Sequence, residues 1–70
     1  MKYLGMEFKN YEEMKEWNKA GHIAEYRKLA KLFANNPTME ISSMMSDRAE
    51  ILVNRFGLTW DEIEELEAAA

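Results

Sequence analysis

The stretch whose reading decides the fold is Ile51–Leu66, "ILVNRFGLTWDEIEEL". Leu52, Val53 and Phe56 recur at helical spacing, with Ile51 at the margin of that face. Gly57 then interrupts the pattern, and Thr59 with Glu62 three residues later writes a capping box for a fresh helix. Asp61 adds charge that suits a helix N-terminus, and Ile63 and Leu66, with Trp60, supply the inner face. Two helices joined by a glycine turn point to the all-α class, and the segments before them extend the same pattern.

Upstream, Pro37–Phe56 places Ile41, Met44, Met45, Ala49, Leu52, Val53 and Phe56 on one broad apolar face. Proline suits a first helical position, with Asn36 as its cap. Inside the stretch, "SSMMSD" (Ser42–Asp47) holds three serines and an aspartate that compete for backbone hydrogen bonds. The segment is either one helix, or a short turn of helix and then a new one from Asp47, with Glu50 completing its cap. The serines favour the break.

Residues 22–35 form the clearest amphipathic segment. Ile23, Tyr26, Leu29, Ala30 and Phe33 share one face with Leu32 at its border, while Arg27, Lys28 and Lys31 hold the opposite face. Asn35-Asn36 before Pro37 ends it, because proline disfavours helical geometry in the residue before it. Asn10, three residues before Glu13, caps an earlier helix over 11–20, where Tyr11, Met14 and Trp17 recur at helical spacing and Gly21 stands as a C-cap. Residues 1–9 read as a short extended arm docked on the bundle. The expected architecture is one domain over 1–70, a compact bundle of three to four short helices whose last two form a helix-turn-helix-like corner.

Counted from Ala49 as the first position of a twenty-residue unit, Gly57 falls at nine, Leu58 at ten, and Ile63 and Leu66 at fifteen and eighteen. In geometry this stretch resembles a helix-turn-helix unit. Its chemistry argues against DNA, because a recognition helix needs Arg, Lys, Asn or Gln to meet phosphates and base edges. The last helix offers Asp61, Glu62, Glu64, Glu65 and Glu67 and no basic residue. DNA binding through it is not expected.

A folded chain of 8.2 kDa exposes roughly 4,500 Å² and buries about 60% of its unfolded surface. One core of that size supplies about 3–5 kcal/mol. Cysteine is absent, so disulfides and thiolate sites are excluded as staples, and with His22 the single histidine an ordinary zinc site would need carboxylates for nearly all its other ligands. Helix packing and oligomerisation remain as sources of stability. No apolar run reaches the ~18 residues of a membrane span. The first ten residues lack a signal-peptide h-region, and Lys2 stands where myristoylation needs glycine. A cytoplasmic protein is expected.

The net charge of −4 conceals a polarity: residues 1–36 carry +2 and residues 37–70 carry −6. The basic face Arg27, Lys28 and Lys31 could contact phosphate, but on an acidic chain a solvated face, or pairing with the acidic half within the molecule or across a dimer, is the simpler reading. His22 has no local serine, threonine or cysteine motif beside it and reads as a surface or capping histidine. The carboxylates lack the pocket that separates paired pKa values, and Gly5, Gly21 and Gly57 are too isolated to cradle phosphate. No enzyme and no cofactor is implied.

Met39, Met44 and Met45 cluster in the middle of the chain, where methionine either fills an irregular core or lines an adaptable surface. Trp60 precedes most of its helix's inner face and is the tryptophan expected to stay partly exposed, a common property of interface anchors. Arg48 and Arg55, seven residues apart, lie on one side of their helix. Either they bind acids of the last helix or they anchor an interface, and arginine suits both.

These residues predict a small interaction module acting through protein–protein contact, with a homodimer as its first form. Met44, Arg48, Ile51, Arg55 and Trp60 are the interface candidates. Two other classes stand beside it: a nucleic-acid accessory protein, using the basic face directly or imitating DNA with the C-terminal acids, and a small enzyme or metal site.

Overall fold

The computed structural model describes residues 1–69; Ala70, the last residue of the expected domain, lies outside the described residues. Two short strands, β1 (Lys2–Tyr3) and β2 (Met6–Glu7), precede three helices, α1 (Tyr11–Asn35), α2 (Met39–Phe56) and α3 (Trp60–Ala68). The fold is thus mainly helical, as expected, with a small hairpin added at its start.

Helix α1 corrects the expected boundary at Gly21. Asn10 does cap the helix, its side-chain oxygen accepting from the Glu13 N–H at 2.9 Å. Gly21, however, is an interior helical residue and no C-cap. Glycine inside a helix costs about 1 kcal/mol relative to alanine. Burial on both sides outweighs that cost, with Met14 before it and Tyr26, Leu29 and Ala30 after it. Helix α1 has 25 residues, a rise of about 37 Å. That accounts for the long dimension of the 39 × 24 × 18 Å body.

Helix α2 is likewise unbroken through Ser42–Asp47. Ser42, Ser43 and Ser46 all face solvent, so they need no partner from the core and compete weakly with the helix, while Met45 and Ala49 are buried beside them. Its cap is Thr38 and not Asn36. The Thr38 hydroxyl accepts from the Ile41 N–H at 3.2 Å, and Pro37 lies ahead of the helix.

Gly57 takes φ 74°, a left-handed conformation that glycine adopts without Cβ strain. The Gly57 N–H donates to Val53 at 3.2 Å and the Leu58 N–H to Leu52 at 3.1 Å, so the last carbonyls of α2 are satisfied. Thr59 and Glu62 then close the capping box of α3 in both directions.

The core joins Tyr26, Leu29 and Ala30 of α1 to Met45, Ala49 and Leu52 of α2, with Leu58 and Ile63 closing it. Helix α1 packs against both other helices, and most extensively against α2. The N-terminal arm is no single extended strand but a hairpin, with Lys2 opposite Glu7 and Tyr3 opposite Met6. The backbones of Met1 and Phe8 extend it, the Met1 ammonium donating to the Phe8 carbonyl at 2.7 Å. Leu4 and Gly5 turn it at φ 51° and 78°, as a two-residue hairpin loop requires. Phe8 is buried, and its ring lies 5.6 Å from that of Trp17, which also meets Tyr3 edge-on at 6.3 Å. These aromatics fasten the hairpin to α1.

Candidate functional site

Met44, Arg48, Ile51 and Arg55 fall at i, i+4, i+7 and i+11 of α2 and form one stripe along it. The stripe flanks the core side of the helix. Met44 is 48% exposed, Ile51 and Arg48 are half-buried, and Arg55 is exposed.

Arg48 is held from α1. Its Nη1 lies 2.9 Å from Nδ1 of His22. A guanidinium only donates, so His22 Nδ1 accepts and the imidazole proton sits on Nε2. Burial, then the charge of Arg48, then that of Arg55 lower the His22 pKa below its ordinary 6.5. His22 therefore lies in mid-helix, half-buried with its ring 5.5 Å from that of Phe56, and not at a helix start on the surface. Arg55 stands 5.9 Å over the Phe56 ring. Among the described residues neither arginine is within 4.0 Å of a carboxylate. Next to this link, Leu4, Trp17, Gly21 and Glu25 line a shallow hollow with His22 and Arg48.

Trp60 belongs to another face. It is 57% exposed at the mouth of a groove of about 400 Å³ where all three helices meet. Tyr26 and Phe33 of α1, Met45 and Ala49 of α2 and Ile63 of α3 form its apolar lining, and Glu64 and Glu67 stand on its rim. Burial and then the Glu67 carboxylate raise the Tyr26 pKa above 10.0.

The five acids of α3 are all exposed. Glu62 has a structural duty, accepting from the Thr59 N–H at 3.0 Å. Arg27, Lys28 and Lys31 are exposed on the outer side of α1. Among the described residues the only ion pair is that of the Met1 ammonium with Glu7 at 3.1 Å, and none joins the basic face of α1 to the acids of α3. Also among the described residues, no three His, Asp or Glu side chains gather closely enough to hold a metal ion. No described helix is long and apolar enough to cross a membrane.

The stripe on α2 could be found in the sequence because its residues share one helix. The groove could not, because its floor comes from α1 and its walls from α2 and α3. The hairpin tip left a faint signal: Leu4-Gly5 sits between residues of alternating polarity. No family model, no curated protein and no solved structure matches the chain.

Proposed function

We propose that the chain is a small protein–protein interaction module that self-associates. The observation that carries this reading is surface left uncovered. The chain exposes 5180 Å², against about 4,500 Å² for a self-contained fold of its mass. Its radius of gyration is 13.4 Å, where a compact chain of this length has about 11 Å. Ten large hydrophobic side chains are exposed, as many residues as make up the buried core, and six of them lie in residues 1–17. A stable interface takes about 800 Å² per partner, comparable with the surplus.

The α2 stripe is the surface assigned to the second copy. Met44 and Ile51 supply apolar contact and Arg55 an exposed cation, while Arg48 is already oriented by His22. We read α2, Gly57 and α3 as a helix-turn-helix-like corner put to this use, in a cytoplasmic and non-enzymatic protein. The engagement of His22 by a cation supports the last point, since a general base needs an orienting acid instead. Sedimentation equilibrium across micromolar concentrations tests the reading. A dimer that Met44→Glu and Ile51→Glu convert to monomer supports it, and a monomer throughout refutes self-association.

A second reading is favoured by the five carboxylates of α3, which lack any ion pair among the described residues. They could imitate the charge of nucleic acid toward a basic DNA-binding protein. Such a complex would dissolve at high salt, whereas direct nucleic-acid binding would run through Arg27, Lys28 and Lys31.

A further inference from the structure

We propose that the groove beneath Trp60 receives a cationic amphipathic helix from a partner protein. Its apolar side chains lie over Met45, Ala49 and Ile63, and a lysine or arginine sits between the Trp60 indole and the carboxylates of Glu64 and Glu67. This rests on the reading of the chain as an interaction module, but not on its self-association, which uses the opposite flank of α2.

Three observations converge on that occupant. The lining is mixed: Tyr26, Phe33, Met45, Ala49 and Ile63 give it an apolar floor beside Ser42 and Ser46, and the methionine's flexible thioether adapts to an incoming side chain. The volume of about 400 Å³ is that of a site for a few side chains, which is how a helix laid in a groove is anchored. The rim is acidic, with no basic residue anywhere on α3 and no ion pair to its carboxylates among the described residues. Those charges are available to a partner of opposite sign, and a cation over an indole face gains further attraction.

The same geometry argues against a second copy in the groove. The densest basic helical face of this chain, Arg27, Lys28 and Lys31, lies on the outer side of α1, while the inner side of α1 floors the groove through Tyr26 and Phe33; Arg48 and Arg55 belong to the α2 stripe already assigned to self-association. A contact joining the two surfaces would run head to tail and would not close into a dimer. The groove therefore points to a different chain. Tyr26 gives an internal reporter, because a cation beside Glu67 offsets the charge that helps to hold its phenol protonated.

The test uses the full chain labelled with 5-fluorotryptophan, in which Trp17 and Trp60 give separate fluorine resonances assigned by Trp60→Phe. The probe is a leucine–lysine amphipathic peptide of about 15 residues, long enough to become helical, and the control is its leucine–glutamate counterpart. The lysine peptide is expected to shift the Trp60 resonance saturably and leave Trp17 unmoved, and the glutamate peptide to shift neither. The Glu64→Gln/Glu67→Gln variant should weaken binding about tenfold, and so should about 1 M salt, where the Debye length falls to about 3 Å. Both glutamates are exposed, and glutamine keeps the side-chain shape and a hydrogen-bonding group beside Tyr26. Equal response to both peptides, a response at Trp17 alone, or no response overturns the proposal. So does a Trp60 shift on raising the protein concentration without peptide, which would give the groove to a second copy. A monomer by sedimentation together with the expected peptide response would refute self-association while sustaining this site.

Discussion

Arg48 Nη1 and His22 Nδ1, 2.9 Å apart, link the middle of α1 to the middle of α2. The link requires a neutral imidazole with its proton on Nε2, since protonated His22 would present an N–H to a guanidinium that cannot accept. Glu25 lines the same hollow, but burial and the charges of Arg48 and Arg55 dominate and lower the His22 pKa. A group whose folded pKa lies below its unfolded 6.5 takes up its proton more readily when unfolded. The contribution of His22 is therefore complete above pH 6.5 and is lost as pH falls from there through the folded pKa. Titration of the His22 ring by NMR should give a midpoint below 6.5. Melting temperature should fall with pH in that window, and His22→Phe should flatten the fall. A midpoint at or above the ordinary value would refute the link in solution.

Gly21→Ala should stabilise the chain. The residue is helical and exposed, and a Cβ built there meets nothing within 4 Å. Removing an interior helical glycine is worth about 1 kcal/mol, or about 4–8 °C in melting temperature for a domain of this size. Thermal denaturation checks this with unusual discrimination. Had Gly21 ended a helix in a left-handed conformation, the same substitution would lower the melting temperature.

That contrast shows what the sequence could convey. Asn10, Gly57 and Thr59 are legible because caps and turns are local chemistry, settled within about four residues, but locality does not choose between neighbouring candidates: Thr38, and not Asn36, caps α2. Gly21 and the serines of Ser42–Asp47 mislead because their costs are local while the compensation is not. The burial of Met14 and Tyr26 around one, and of Met45 and Ala49 beside the others, comes from distant partners. The α2 stripe was visible as a spacing. That Trp60 lies away from it, over a floor of Tyr26 and Phe33, depends on how three helices meet and has no signature in any one segment.

Leu4→Asn should tighten the hairpin. Leucine at φ 51° bears a left-handed penalty of about 1–2 kcal/mol, and asparagine before glycine is the preferred pair for such a loop. The leucine side chain is 74% exposed and recovers little of that cost by burial in the chain. The variant should slow amide exchange at Phe8, whose N–H donates to the Met1 carbonyl. Unchanged or faster exchange would show that Leu4 is not strained.

Leu52→Ala tests how much the small core can lose. Leu52 is 0% exposed and sits among the core residues of all three helices, while its carbonyl also accepts from the Leu58 N–H. Truncating a buried leucine costs about 2–5 kcal/mol, and a core of this size supplies about 3–5 kcal/mol. The variant should therefore be largely unfolded by circular dichroism when dilute. If the chain self-associates through the α2 stripe, mass action couples folding to assembly, and helicity should return as protein concentration rises. Helicity that stays low at every concentration would separate the core from assembly. A variant as stable as the parent would place the centre of the fold elsewhere than at Leu52.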